Sequence, residues 1–300
     1  GQEVLDDGNA IYSVAQWYPR MCAYTDVHGW RHRQYIGGGE FTLEFGSFLV
    51  KITVPEDHIV ASTGTLQNPA EVLTATQRER LAAAAGAKKP ILIVTPEEAG
   101  ENRKDKAKGK KTWIFHADMV RDFAFASSRS FAWDAMPSAG EGFSTLCMSF
   151  YPAEAMPLWN RYATHATAQA IEVYSKHTVP YPWPVAISVN SPVGGMEYPM
   201  LHFTGARPEK DGTYSERKKH GLISVIIHEV GHNFFPMVVN SDEREWIWMD
   251  EGFNTFVQNI SEHEWSQDYP ARRGVPQTIG GYMKSSNQVP IMTSAHSLVQ

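Results

Sequence analysis

The sequence predicts an α+β chain in two domains, a β-rich part over residues 1–133 and a mainly helical part over residues 134–300. Up to about residue 130, apolar and polar residues alternate in short runs that stop at proline or turn residues. Beyond it the apolar spacing changes to every third or fourth residue. A third feature stands apart: HEVGH, residues 228–232, sets two histidines and a glutamate inside the apolar run LISVIIHEVGHNFFP. Such polar groups are costly to bury unless something compensates them.

Taken in order, FTLEFGSFLVKITVP (41–55) alternates and ends at proline, as a half-buried strand pair does, and IVASTGTLQNP (59–69) is a strand that runs into a turn. TQRERLAAAAGAKKP (76–90) breaks the pattern as a short helix or inserted loop, after which ILIVT (91–95) and KTWIFHA (111–117) resume strands. MPLWNRYATHATAQAIEVYSKHT (156–178) has helical spacing of Leu158, Tyr162, Ala166, Ala170 and Val173 and must end before the prolines of YPWP. VAISVN (185–190) alternates as a strand, and SPVGGMEYPMLHF (191–203) reads as a glycine-bearing extended edge, because its prolines cannot serve a central strand. TYSE (213–216) reads as a capping box opening a helix expected to run to Pro236. A last helix is expected from about Asp250 to Glu264, with Phe253, Phe256, Val257 and Ile260 facing inward.

Composition excludes several classes. The 300 residues are 42% hydrophobic and 20% charged, an ordinary globular balance, and no apolar stretch approaches the length of a membrane span. A net charge of −6 gives no basic footprint for nucleic acid or an anionic membrane. The basic run RKDKAKGKK (103–111) is diluted by acid and glycine and reads as a solvated loop. Cys22 and Cys147 are too few and too far apart for a disulfide framework or a metal site, and read as structural thiols. Oligomeric state and compartment are not encoded in these features, although the reading leans to the cell envelope.

On the helix of the apolar run, His228 and His232 stand one turn apart and project from one face. Two neutral imidazoles so placed can share one zinc ion, and Glu229 falls beside the metal, where a general base takes a proton from zinc-bound water. Leu222, Ile223, Val225, Ile226 and Ile227 make the helix apolar nearly all round, so without a metal each polar group would need its own hydrogen-bond solution. The third ligand is expected at Glu251 in WMDEGFN, eighteen residues after His232, a gap that suits a turn and an antiparallel return. Two histidines and a glutamate leave the fourth zinc position open, as in catalytic rather than structural sites. His202, His220, His263 and His296 are expected to be structural.

HEVGH, its eighteen-residue gap to Glu251 and GGMEY (194–198) together resemble the gluzincin aminopeptidases of the aminopeptidase N and leukotriene hydrolase family. The resemblance covers most of residues 130–265. It implies a thermolysin-like catalytic domain, preceded by the end of a saddle-shaped β domain. It further implies one zinc ion per chain and peptide substrates with a free N-terminus. Glu197 would bind the substrate amino group, with Gln16 touching it from the β domain, and Gly194, Gly195 and Met196 would present backbone to the substrate as an added strand.

The pattern is broken in three places. Tyr198 stands where the family has Asn, and Asp250 replaces an Asn before the zinc glutamate. The family's catalytic tyrosine falls further along than this chain extends; Tyr282 is the nearest candidate and comes too early. The chain, which opens on Gly-Gln, is therefore expected to be an excised and weakly active piece. Two other readings remain open, a thermolysin-type endopeptidase and a family member that binds rather than cleaves.

Overall fold

The computed structural model describes residues 1–35, 38–40, 42–270, 279–290, 292–294 and 297; Phe41 and His296 lie outside them. In chain order the strands are β1 (Gln2–Val4), β2 (Ala10–Val14), β3 (Tyr24–Thr25), β4 (Gly29–Trp30), β5 (Gly46–Pro55), β6 (Ile59–Ser62), β7 (Thr65–Leu66), β8 (Ile91–Val94), β9 (Lys110–Val120), β10 (Phe125–Ser128), β11 (Ala132–Gly140), β12 (Phe143–Tyr151), β13 (Val185–Asn190), β14 (Met196–Tyr198) and β15 (Leu201–Thr204). The helices are α1 (Pro69–Val72), α2 (Ala75–Ala84), α3 (Pro96–Lys104), α4 (Leu158–His177), α5 (Glu216–Gly231), α6 (Phe253–Trp265) and α7 (Ile279–Met283).

The β-rich part holds a four-stranded sheet ordered β1-β2-β10-β6 and a three-stranded sheet ordered β5-β9-β7, with β3 and β4 as a small hairpin. In β5 the alternation of GSFLVKITVP appears as one long antiparallel pairing with β9, Ile52 opposite Trp113, both buried. The second part is built on a six-stranded sheet ordered β14-β15-β13-β12-β11-β8. Its far edge, β8, comes from residues 91–94 and pairs with β11, so this sheet draws on both sides of residue 133. The chain crosses from β12 through α4 to its parallel neighbour β13, the long connection that parallel strands require. All six residues of β13 are buried, including Ser188, whose hydroxyl bonds Thr167 and His202, and Asn190, which donates to the Thr204 carbonyl.

α4 covers this sheet and packs against α5, which in turn contacts α6, β14 and β15. Leu222, Ile223, Ile226 and Ile227 of α5 have no exposed surface, which is why the helix is apolar nearly all round. No helix among the described residues is long and apolar enough to cross a membrane.

Three local expectations are corrected. The N-cap of α5 is Ser215, accepting from Lys218 N–H, and not Thr213, which is turned back onto Asp211 Oδ1. α5 ends at Gly231 with His232 as its cap, short of Pro236: the chain leaves through turns in which Met237 N–H bonds the His232 carbonyl, and a residue preceding proline resists helical geometry. In α6 the inward face is Asn254, Val257, Gln258 and Ser261, whereas Phe253 and Phe256 are 42% and 66% exposed. The face that meets α5 is polar because it supports the histidines there.

Candidate metal centre

α5 brings His228 and His232 to one face, their rings edge to face with centroids 4.6 Å apart. The π-helical turn Trp248–Gly252, immediately before α6, returns Glu251 to the same point. His228 Nε2 lies 3.1 Å from His232 Nε2 and 3.3 Å from Glu251 Oε2, and His232 Nε2 lies 4.0 Å from Glu251 Oε1. Three ligands of a tetrahedral zinc, each about 2.0–2.1 Å from the ion, stand about 3.3–3.5 Å from one another. The donor set therefore fits the expected metal. Glu251 is 46% exposed on its side chain, which leaves the approach from outside open.

Each imidazole has its other nitrogen engaged. His232 Nδ1 lies 2.7 Å from Asp250 Oδ1 and 2.9 Å from the Phe235 carbonyl. His228 Nδ1 lies 3.0 Å from Gln258 Oε1. Both rings are thereby turned with Nε2 toward the shared point. Asn254 fastens the end of α5: its Nδ2 donates to the His228 carbonyl, and its Oδ1 accepts from the buried Tyr174 hydroxyl at 2.6 Å. Gly231 is required at this contact, since a Cβ there would overlap Asn254 Oδ1 and the Tyr174 hydroxyl.

Glu229 is buried, and its Oε2 has no hydrogen-bond partner among the described residues. Burial raises its pKa to about 7; the two histidines pull down against that, while Glu251 and Asp250 push further up. A carboxylate titrating there suits a general base at neutral pH. Glu197, on β14, is also buried and lies 4.0 Å from His232 Nδ1. Burial lifts its pKa well above the usual range, opposed by His232 and reinforced by Glu229, Asp250 and Glu40. Burial alone would lower His232, but Glu197, Asp250 and Glu229 raise it well above an ordinary imidazole. The site thus gathers carboxyl groups around two histidines, and a cation bound among them would favour their ionised forms.

β14 is the edge of its sheet, with Glu197 opposite His202 in the register with β15. Gly195 precedes it directly beneath Glu229: a Cβ on Gly195 would overlap Glu229 Oε1, whereas one on Gly194 would meet nothing within 4 Å. Met196 is partly buried against the core. A cleft of about 350 Å³ opens beside Gly195, His228 and Glu229 and runs along Thr255, Gln258 and Glu262 of α6.

Gln16 follows β2 with φ at 50° and lines a cleft with Tyr18, Arg20, Arg31 and Arg244, whose walls include none of the three metal ligands. Tyr198 is buried edge-on against Phe203. Tyr282 is 47% exposed on α7, its hydroxyl accepting from Val289 N–H.

Sequence reasoning missed Glu40, which joins Glu243 and Asp250 in a group of close carboxylates, and the orienting parts of Asp250, Asn254 and Gln258. A signal for the last two was present: Asn254, Gln258 and Glu262 recur every four residues as a polar stripe on α6.

A family model described as the peptidase family M1 domain matches residues 162–297. Aminopeptidase M1 of Arabidopsis thaliana is 26% identical over 107 residues, which are 34% of this chain and 12% of that protein. Among solved structures, the M1 zinc metallopeptidase from Deinococcus radiodurans has a TM-score of 0.54 at 16% identity, covering 84% of this chain and 48% of that one. A two-domain M1 zinc metallopeptidase mutant bound to L-arginine has a TM-score of 0.52 at 15% identity, covering 82% and 46%. The chain spans about half the length of those structures and about an eighth of the plant protein, and at such identities the structural likeness is one of fold.

Proposed function

We propose, from the match of residues 162–297 to the peptidase family M1 domain, that the chain is a zinc-dependent aminopeptidase of that family acting on peptides with a free N-terminus. Residues 1–133 are read as the end of a saddle-like β domain and residues 134–300 as a thermolysin-like catalytic domain. The observation that carries the proposal is the close triangle of His228, His232 and Glu251 with the unpartnered Glu229 oxygen beside it.

His228, His232 and Glu251 would hold one zinc ion, which supplies a Lewis acid and makes water acidic enough to ionise near pH 7. Glu229 takes the proton of the attacking water and passes it to the leaving amine; its burial, which disfavours the bare carboxylate, makes it a better acceptor of that proton than an exposed glutamate. Glu197 receives the substrate amino group. An ammonium beside that buried carboxyl supplies the countercharge that favours its ionised form. The outer edge of β14 takes the peptide backbone as an added strand, and the glycines before it keep the approach clear.

Glu229→Gln tests the assignment. The variant is expected to bind zinc as the parent does and to lose roughly 10²–10⁴-fold in turnover of aminoacyl anilides. Unchanged turnover would remove Glu229 from the mechanism.

A further inference from the structure

The two histidines of the metal centre are oriented by unlike partners. His232 faces a carboxylate directly, Asp250 at 2.7 Å. His228 faces a neutral carboxamide, Gln258 Oε1 at 3.0 Å, and the nearest carboxylate on that side is one residue further out. That carboxylate is Glu262, whose Oε1 accepts from Gln258 Nε2 at 2.8 Å; the Ser224 carbonyl accepts from the same nitrogen at 3.3 Å.

The chemistry of the three groups leaves one consistent arrangement. A carboxylate and a carbonyl can only accept, so Gln258 must turn its NH₂ toward Glu262 and Ser224. Its oxygen then faces His228 at 3.0 Å and takes the hydrogen of Nδ1; the Asn254 amide nitrogen also lies 3.4 Å from Nδ1, but it donates to the His228 carbonyl at the shorter 2.9 Å. With Nδ1 protonated, the lone pair of neutral His228 lies on Nε2, the atom 3.1 Å from His232 Nε2 and 3.3 Å from Glu251.

We propose that Glu262 is a positioning residue of the metal centre, setting the tautomer of His228 at two hydrogen bonds' remove through Gln258. The inference rests on the zinc reading above, and it identifies why α6 presents a polar stripe to α5. Glu262 and Gln258 are 4% and 6% exposed, so although both border the cleft, little of the relay's own surface is open to water.

The test compares zinc affinity, by chelator competition, in the parent chain, Glu262→Gln, Gln258→Leu and the exchanged pair Gln258→Glu/Glu262→Gln. Glu262→Gln keeps shape but can donate, which leaves only the longer 3.3 Å bond to the Ser224 carbonyl to hold the Gln258 amide in its orientation. In the exchanged pair the carboxylate, now at position 258, accepts from His228 directly, and the carboxamide, now at position 262, donates back to it. Both single variants are expected to lose roughly 10–100-fold in zinc affinity, and the exchanged pair to return to within about threefold of the parent. Thermal unfolding of the metal-free proteins is recorded alongside. Parent-like zinc affinity in Glu262→Gln would overturn the proposal. So would a loss in Glu262→Gln that follows an equal fall in metal-free stability and is not restored by the exchange. A parent chain that binds no zinc would instead overturn the functional reading on which the inference rests.

Discussion

Gly195 lies so close beneath Glu229 that a β-carbon on it would overlap the Oε1 of the carboxylate, while its neighbour Gly194 has open space at the same place. The two glycines of GGMEY are therefore unequal. Gly195→Ala is expected to displace the general base and lower turnover by at least tenfold, since a side chain moved by about 1 Å can cost two orders of magnitude. Gly194→Ala is expected to stay within about threefold. Side-by-side kinetics on one anilide decide it: equal effects of the two substitutions would contradict the packing of Gly195 on Glu229.

Glu197 is assigned to the substrate's amino group. Glu197→Gln keeps the shape and removes the charge. A hydrogen bond to a charged group contributes about 1.5–3 kcal/mol, so KM for free-amine substrates is expected to rise roughly 10–100-fold with zinc content unchanged. Unaltered KM would place the amine elsewhere.

Asp250 is fully buried beside His232 Nδ1. Asp250→Ala leaves that nitrogen only the Phe235 carbonyl and is expected to weaken zinc binding roughly 10–100-fold, whereas Asp250→Asn, which can still accept, is expected to lose less. Chelator titration of both variants checks the order. Asp250→Ala binding zinc as the parent does would show that Phe235 alone orients the ring.

Asp134 offers a test of the frame under the site. Burial lifts its pKa to about 6, although the Thr164 and Tyr151 hydroxyls donate to it and pull it down. The native state then holds a proton that the unfolded chain releases near the ordinary aspartate value of 3.8. The Asp134 contribution to stability is therefore intact below about pH 4, falls as pH rises to about 6 and is flat above. The fall is on the order of 2–3 kcal/mol. Asp134→Asn removes this slope, so the gap in Tm between parent and variant is expected to change between pH 4 and pH 7. A gap constant across that range would contradict a raised pKa.

Much of this was legible in the residues themselves. Apolar periodicity located α4, α5 and the central strand β13, because there burial and helical or strand spacing act together. His228, His232 and Glu251 were found from spacing alone, and the structure brings all three to one point. α6 was located by the same procedure, with Val257 inward as expected, but its phenylalanines were assigned to the wrong face for a physical reason. Periodicity assumes that the inward face is the apolar one, but here the inward face hydrogen-bonds the metal-centre helix and the phenylalanines are outside. Glu40 and the packing of Gly195 on Glu229 depend on which loops meet, and no local pattern encodes that.

The most direct measurement compares the zinc-loaded chain on an aminoacyl anilide and on the same compound acetylated at its amino group. The account predicts cleavage of the free-amine compound at least 100-fold faster, abolished by a chelator and restored by one equivalent of zinc. Equal cleavage of both compounds would contradict anchoring of the amine by Glu197, and cleavage that survives the chelator would contradict a zinc centre at His228, His232 and Glu251.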